Sequence, residues 1–138
     1  MPARDSIHAN VRRALERDGW TITHDPLRLS LGRRKLYVDL GCERLLAAEK
    51  GPRKIAVEIK TFAGPSEVKD LEDAVGQFVV YEHALRREEP GRSLYLAVPE
   101  ATWQLVFTDE LGQILIDDHV LQVVTFDIVK EEIIRWSP

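Results

Sequence analysis

A long amphipathic helix is predicted in the middle of the chain, between two short apolar strands. Gly64-Pro65-Ser66 interrupts the preceding strand pattern, and residues 67–88 then carry apolar side chains at helical spacing. Pro90-Gly91 ends this helix, and the nearly all-apolar segment 93–98 is typical of a strand that is buried on both faces. The predicted apolar stripe of the helix consists of Val68, Leu71, Val75, Phe78, Val79 and Leu85.

One further helix and three strands are predicted before the long helix. Residues 5–18 have apolar positions at helical spacing, and Asp5 or Ser6 can cap the start of this first helix. Gly19 stands where a left-handed carboxyl-terminal cap belongs. The predicted strands are 20–23, then 35–40, which 44–49 continues past a bend at Gly41, and finally 54–60.

The C-terminal part is predicted to add short helices and a hairpin. A helix is expected at about 99–107 and a second helical piece at 109–116, before strands at 120–126 and 131–136. Three strands joined by short turns, then a long helix and a buried strand, indicate an α/β fold with a mixed sheet flanked by helices. The core order is αβββαβ plus a C-terminal helix and hairpin. No repeat or linker divides the sequence, so one domain spanning residues 1–138 is expected.

Composition and charge limit the functions that this chain can have. Of its 138 residues, 44% are hydrophobic and 30% are charged, which is ordinary for a globular domain. No apolar run approaches the roughly 20 residues of a membrane span, and the first residues lack the apolar core of a signal peptide. No membrane association and a cytoplasmic location are therefore expected. Cys42 is the only cysteine, which excludes an intramolecular disulfide.

The formal net charge of −4 argues against tight DNA binding by this chain alone. Phosphate neutralisation supplies most of the affinity of nucleic-acid binders, so any binding to DNA is expected to be weak without a partner. Two groups of basic residues, at Arg33, Arg34 and Lys35 and at Arg53 and Lys54, can contact phosphates, or they can be ordinary charged turns.

Three charged residues at the ends of two apolar strands form the strongest candidate site. Asp39 follows Leu36-Tyr37-Val38, and Glu58 and Lys60 close the strand that begins at residue 54. Because side chains alternate along a strand, Glu58 and Lys60 share one face while Ile59 points into the core. The two strands are predicted neighbours, so Asp39 can approach Glu58.

Two carboxylates and a lysine in one cleft suit the metal-dependent cleavage of a phosphodiester. Asp39 and Glu58 can hold a hard divalent cation, Mg²⁺ or Mn²⁺, through oxygen. Such a cation polarises the phosphate and lowers the pKa of a bound water. Lys60 can position that water and stabilise negative charge in the transition state. The alternative is a solvated strand face, on which charged residues often alternate.

The long helix offers a second set of polar residues. Gln77 and Tyr81 are i,i+4 neighbours and share a helix face, which either points toward the candidate site or faces water. Weaker candidates for metal ligation are Asp5, His8 and Glu16 on the first helix and Glu43 beyond Asp39. His24, His83 and His119 show no ligand spacing.

An acidic residue followed one strand later by Glu-x-Lys resembles the signature of the PD-(D/E)XK nuclease superfamily. The predicted order αβββαβ is similar to the three-layer, restriction endonuclease-like core of that superfamily. Several of its branches also carry Gln-x-x-x-Tyr on the helix after the Glu-x-Lys strand, which matches Gln77 and Tyr81. The resemblance implies catalytic roles for Asp39, Glu58, Lys60 and Gln77, with Asp39 and Glu58 as ligands of Mg²⁺ or Mn²⁺.

The chain also resembles the XisH family of excision controlling factors over nearly its whole length. The segments that carry this resemblance are DGWTITHDPL from Asp18, LYVDLG from Leu36, ERLLAAEKG from Glu43, IAVEIK from Ile55, GPSEV from Gly64, GQF from Gly76, LYLAVP from Leu94 and the closing IRW from Ile134. The resemblance implies a part in the excision of a DNA element in cyanobacteria, together with a partner called XisI and a separate recombinase.

Three functions fit these observations. The chain can be a Mg²⁺-dependent endodeoxyribonuclease, a non-catalytic accessory protein of site-specific recombination, or a toxin-like or defence nuclease that XisI restrains. The intact Asp-Glu-Lys set favours the enzyme, and the acidic charge favours the accessory protein. The apolar C-terminal segment 103–136 is the predicted partner surface, or it simply covers the sheet, and a homo-oligomer is compatible with either.

Overall fold

The computed structural model describes residues 4–31, 34–36 and 45–138 of the chain. These residues form a six-stranded sheet and a separate two-stranded sheet, with helices between the strands. The elements in chain order are α1 (Arg4–Arg17), β1 (Thr21–His24), β2 (Leu29–Leu31), β3 (Arg34–Leu36), β4 (Leu45–Lys50), β5 (Arg53–Ile59), α2 (Glu67–Glu88), β6 (Arg92–Pro99), α3 (Glu100–Thr102), a π-helical turn (Trp103–Phe107), α4 (Glu110–Asp117), β7 (Val123–Asp127) and β8 (Glu132–Ser137).

The six-stranded sheet has the order β1-β4-β5-β6-β7-β8 and is mixed. β4 pairs antiparallel with both β1 and β5, whereas β6 pairs in parallel with both β5 and β7. The edge strand β8 is antiparallel to β7. Parallel neighbours need a long connection, which α2 provides between β5 and β6. Within this sheet, the predicted core order αβββαβ followed by helices and a hairpin is confirmed.

The two-stranded sheet departs from the prediction. Leu29 faces Leu36 in the antiparallel hairpin of β2 and β3, whereas β4 belongs to the six-stranded sheet. Residues 35–40 and 44–49 therefore do not form one continuous strand, and that prediction is wrong. Leu29 is buried in the apolar cluster that includes Phe78 of α2, and β2 and β3 form a sheet of their own. Residues 37–44 lie outside the described part of the chain.

Apolar clusters cover both faces of the main sheet. On one face, α1 contributes Ile7 and Val11 to a cluster that includes Val57 of β5. On the opposite face, α2 contributes Phe78 to a cluster that includes Ala56. Neighbouring residues of β5 thus face opposite cores, so this strand is buried on both sides and not on one alone.

The first helix is joined to the last hairpin by specific contacts. The Asn10 side-chain amide donates to the Ile128 carbonyl oxygen at 3.0 Å and to Oε2 of Glu131 at 2.7 Å. Arg13 forms an ion pair with Glu131, and Arg17 donates to the Lys130 carbonyl oxygen at 2.6 Å. The face of α1 therefore rests on the sheet and on the turn between β7 and β8.

The ends of the two long helices follow local signals in the sequence. The Ser66 hydroxyl accepts a hydrogen bond from the Lys69 backbone N–H at 3.2 Å, as an N-cap residue does. Gly19, two residues after the end of α1, has a φ of 95°, a left-handed conformation that glycine adopts without a steric penalty. Both predicted helix boundaries are therefore confirmed to within one residue, but the predicted cap of α1 is wrong, because Asp5 and Ser6 lie inside the helix.

The buried stripe of α2 differs from the predicted one. Its buried residues are Leu71, Ala74, Phe78, Ala84 and Leu85. Val68 is 55% exposed and Val79 is 38% exposed, so their assignment to the stripe is wrong. At 100° per residue, both lie roughly 90° or more from the centre of the buried stripe, on its flanks.

The region predicted as one helix at 99–107 is a three-residue α3 that continues into a π-helical turn. α4 follows, and its Gly112 packs so closely on that turn that a Cβ there would lie 2.1 Å from the Val106 carbonyl oxygen. The Asp109 side chain caps α4 by accepting from the Gly112 N–H at 3.2 Å. None of the helices in the described ranges combines the length and apolar character that a membrane span needs.

Candidate functional site

Four strands of the main sheet end at the same edge. β1, β5, β6 and β7 run in one direction, because β4 is antiparallel to both β1 and β5 and the next two strands are parallel to β5. Ligands of open α/β sheets bind outside the carboxyl ends of such strands. Glu58 and Lys60 lie at this edge, at the carboxyl end of β5.

Glu58 and Lys60 form a buried ion pair. Strand alternation places them on the face of Ala56, toward α2, as predicted. Lys60 Nζ lies 4.0 Å from Oε1 of Glu58, and the residues are 9% and 0% exposed. The Lys60 backbone N–H donates to the Ala97 carbonyl oxygen of β6 at 2.9 Å, which extends the strand pairing to this residue.

A buried carboxylate next to an ammonium group is costly to build. Removing a charge from water carries a penalty of several kcal/mol that the partner charge offsets only in part. Ile55, Val57 and Ile59 alternate with these charged positions and anchor the strand in the opposite core. The protein therefore holds two charges in a place where apolar side chains would fit the sheet better, which is typical of functional sites.

The second predicted metal ligand, Asp39, lies outside the described residues, as do Arg33, Cys42 and Glu43. The described ranges contain no group of three His, Cys, Asp or Glu side chains that could hold a metal ion. Within these ranges, Glu58 offers carboxylate oxygen, which is a ligand that hard divalent cations prefer. The donor type therefore fits the predicted Mg²⁺ or Mn²⁺.

Gln77 and Tyr81 lie at the border of the buried face of α2. Both side chains are half-buried, and Tyr81 packs against the cluster that contains Ala56 and Phe78. Oε1 of Gln77 is buried and accepts no hydrogen bond within the described part of the chain. Val80, which lies between them on α2, is 53% exposed, so Gln77 and Tyr81 are turned more toward the sheet than Val80 is.

The backbone that follows Lys60 is held by the segment after β6. The Thr102 hydroxyl donates to the Thr61 carbonyl oxygen at 3.3 Å. Phe62 has a φ of 55°, a left-handed conformation that is strained for a bulky residue. Its ring meets the edge of Phe107 with 6.0 Å between centroids. Strain of this kind tends to cluster at functional sites, where the surrounding structure maintains it.

A second ion pair, Glu100 with Arg135, ties the edge strand β8 to α3. The guanidinium donates to both carboxylate oxygens of Glu100, at 2.6 and 3.0 Å, and lies 4.8 Å from the centre of the Trp103 ring. Burial would raise the pKa of Glu100, but the hydrogen bonds from Arg135 and Gln104 and the charge of Arg135 lower it below its ordinary value.

Neither Glu100 nor Thr102 was expected to have a role from the sequence. Glu100 directly follows the buried strand that ends with Pro99, and this position at the carboxyl edge was the available signal. Arg135 belongs to the closing IRW segment, but nothing in that segment indicates which carboxylate it meets.

Asp25, at the carboxyl end of β1, holds the first helix to the same edge. Its Oδ2 lies 2.8 Å from Nε2 of His8 and 2.7 Å from the guanidinium of Arg12. Burial would raise the pKa of Asp25, but the hydrogen bonds and charges of His8 and Arg12 lower it below its ordinary value. This pairing accounts for His8, while Glu16 is exposed farther along α1.

The remaining candidates with described side chains are dispersed, although His24, the last residue of β1, is exposed at this edge. Arg53 and Lys54 are at the amino end of β5, where Arg53 lies 5.2 Å from the Trp20 ring centre and Lys54 lies 3.9 Å from Glu49. They are thus at the opposite end of the strand from Glu58. His24, His83 and His119 are exposed on β1, on α2 and after α4.

The fold and this edge define a class of protein, an α/β domain whose mixed six-stranded sheet carries a buried Glu–Lys pair at the carboxyl end of a central strand. The model of the XisH protein family matches residues 1–134, so the chain belongs to the XisH family. The resemblance drawn from the sequence segments is thereby confirmed.

Two crystal structures are similar to this chain over almost its whole length. An XisH family protein from Nostoc punctiforme has 39% sequence identity and a TM-score of 0.87, with 97% of this chain and 100% of that chain covered. An fdxN element excision controlling factor protein from Anabaena variabilis has 38% identity and a TM-score of 0.87, with 97% and 99% covered. Among curated proteins, none matched the chain.

Proposed function

We propose that this chain is a DNA-element excision controlling factor with an endodeoxyribonuclease site of the PD-(D/E)XK type. The observation that carries the proposal is the buried Glu58–Lys60 pair at the carboxyl end of β5. The sheet order around β5 is consistent with a restriction endonuclease-like core. The similarity to the Anabaena variabilis excision controlling factor supports the biological setting.

In this proposal, the residues of the chain divide the work of phosphodiester hydrolysis. Glu58, with Asp39, would hold Mg²⁺ or Mn²⁺, which supplies charge for the scissile phosphate and acidifies a bound water. Lys60 would orient the attacking water and stabilise the negative charge that develops on the phosphate. The buried side-chain oxygen of Gln77 would accept a hydrogen bond from a polar group of the site.

The surroundings of the pair favour such a role for Lys60. Its backbone is fixed by the hydrogen bond to Ala97, and the residue after it is fixed by Thr102. The ammonium group is therefore carried by a rigid strand end and not by a mobile loop, which suits a group that must be preorganised for a transition state.

A plasmid-nicking assay tests the proposal. Supercoiled DNA is incubated with the protein in Mg²⁺ and in Mn²⁺, and Glu58→Gln and Lys60→Met are each expected to reduce the rate at least about 100-fold. Glu72→Gln, at an exposed position of α2, is the matched control and should leave the rate unchanged. Thermal melting of each variant shows that it is folded. Nicking by Glu58→Gln at the wild-type rate would refute the assignment.

A second candidate is a non-catalytic accessory protein of site-specific recombination, which acts through protein contacts. The net charge of −4 favours it, because an acidic domain neutralises few DNA phosphates. A XisI-type protein is the proposed partner for both candidate functions. A toxin-like nuclease that the XisI-type protein inhibits is a variant of the nuclease proposal. Co-expression of the chain with a XisI-type protein, followed by nicking assays with and without it, separates these cases. No nicking under any condition, together with a stable complex, would favour the accessory role.

A further inference from the structure

Three large apolar side chains are exposed in the C-terminal helical segment. Leu105 in the π-helical turn is 63% exposed, and Leu111 and Ile114 in α4 are 45% and 46% exposed. Leu111 and Ile114 are i,i+3 neighbours and therefore share one face of α4. Single exposed apolar residues are common on protein surfaces, but a contiguous group of them marks an interaction surface.

The packing of α4 on the π-helical turn brings the backbone beside Leu105 close to the backbone beside Leu111. The backbones touch where a Cβ on Gly112 would lie 2.1 Å from the Val106 carbonyl oxygen. Leu105 precedes Val106 and Leu111 precedes Gly112, so each leucine is one residue away from this contact. We call Leu105, Leu111 and Ile114 the apolar patch. It has rigid support, because Val106 is buried in the core beneath it.

Exposed carboxylates lie on the same helix as this patch, and the surrounding stretch of sequence carries no Lys or Arg. Glu110, Asp117 and Asp118, here called the acidic rim, are exposed on α4 and at its end. The sequence from residue 93 to residue 129 contains no Lys and no Arg. Asp117 is the last residue of α4 and Asp118 is its cap, at the helix end where negative charge is unfavourable. Glu110, in the first turn, is favourable for the helix, but the two carboxylates at the other end, Asp117 and Asp118, are not explained by the stability of α4.

We propose that the apolar patch and the acidic rim together dock a partner protein through an amphipathic helix whose apolar stripe is flanked by Lys and Arg. The stripe would cover the three exposed apolar side chains, and the flanking cations would pair with the rim. Helix-in-groove recognition of this kind uses apolar anchors at i, i+3 and i+4 spacing. The surface does not include Glu58 or Lys60, so the proposal does not depend on nuclease activity.

Designed peptides test the chemistry of the partner. Three labelled peptides, each about 18 residues or five helical turns long, are compared by fluorescence anisotropy. One has a leucine stripe flanked by lysine, one has the same stripe flanked by glutamate, and one contains the lysine peptide's residues in scrambled order. The lysine-flanked peptide is expected to bind at least about tenfold more tightly than the other two, and added salt should weaken its binding.

Variants of the protein separate docking from folding. Leu111→Ser combined with Ile114→Ser should weaken binding of the lysine-flanked peptide at least about tenfold. Asp117→Asn combined with Asp118→Asn should also weaken it, while the melting temperature stays the same or rises, because an unfavourable charge at the helix end is removed. Val68→Ser, at a 55% exposed position of α2, is the control and should leave the affinity unchanged.

Four results would overturn the proposal. The wild-type protein could fail to bind the lysine-flanked peptide, or it could bind the glutamate-flanked peptide equally well. The serine and asparagine variants could bind as tightly as the wild type. Sedimentation velocity could also show self-association that the two serine substitutions abolish, in which case a second copy of this chain covers the patch.

Discussion

Replacement of Gly112 by alanine isolates the contact between α4 and the π-helical turn. The added Cβ would lie 2.1 Å from the Val106 carbonyl oxygen and 2.6 Å from Cα of Phe107. Both neighbours are backbone atoms of residues that are themselves buried in the core, so no flexible side chain can move aside. α4 and the turn must separate instead.

The size of the effect follows from two opposing terms. Alanine is better than glycine within a helix by about 1 kcal/mol. Overpacking of a tight interior costs about 1–3 kcal/mol and sometimes more, and a contact near 2 Å against backbone belongs at the upper end of that range. We therefore expect a net loss of about 2 kcal/mol in the free energy of unfolding, which lowers the melting temperature by several degrees.

Urea denaturation of the wild type, Gly112→Ala and Gly76→Ala measures this balance. Gly76 is the matched control, because it is also helical but nothing lies within 4 Å of the Cβ that alanine would add. Gly76→Ala should gain up to about 1 kcal/mol from helix propensity alone. Equal or greater stability of Gly112→Ala relative to the wild type would refute the packing argument.

Three further predictions concern the metal, the acid range and a helix end. Isothermal titration with Mn²⁺ should show heat that Glu58→Gln reduces and Glu72→Gln does not, and equal titrations would remove Glu58 from a metal site. The lowered pKa of Asp25 means that its carboxylate contributes stability above about pH 4 and loses it as pH falls through the folded-state pKa. Asp25→Asn should therefore be less stable than the wild type at pH 7, with a difference that shrinks in acid melts, and a constant difference would contradict this. Gly19→Ala should lose about 1–2 kcal/mol in urea, because its φ is 95°, and an unchanged midpoint would show that the backbone relaxes.

Local signals in the sequence predict the helices and the orientation of the Glu-x-Lys strand. Ser66 caps α2 because its hydroxyl satisfies a backbone N–H three residues away, and this interaction depends only on nearby residues. The shared face of Glu58 and Lys60 follows from the alternation of side chains along any strand. Such features need no knowledge of the rest of the fold.

The features that were not predicted depend on contacts between distant parts of the chain. β2 pairs with β3 while its residue Leu29 is buried in one cluster with Phe78 of α2, more than 40 positions later in the chain. The bidentate contact of Arg135 with Glu100 joins residues that are 35 positions apart. Hydrophobicity alone also could not show that Val79 lies on the flank of α2, since the width of the buried stripe is set by what packs against it.

The contacts between α1 and the last hairpin have a consequence for how the chain folds during synthesis. The side chain of Asn10, in α1, donates to the backbone of Ile128, which lies 118 positions later in the chain. The ribosome releases α1 first, but the hairpin of β7 and β8 emerges only after every other element. Contacts between such distant residues form slowly, because the chain loses conformational entropy when the loop closes, before the contacts stabilise it. The apolar stripe of α1 therefore lacks part of its packing surface until β8 has been synthesised. During this period, a chaperone that binds exposed apolar helices could bind α1.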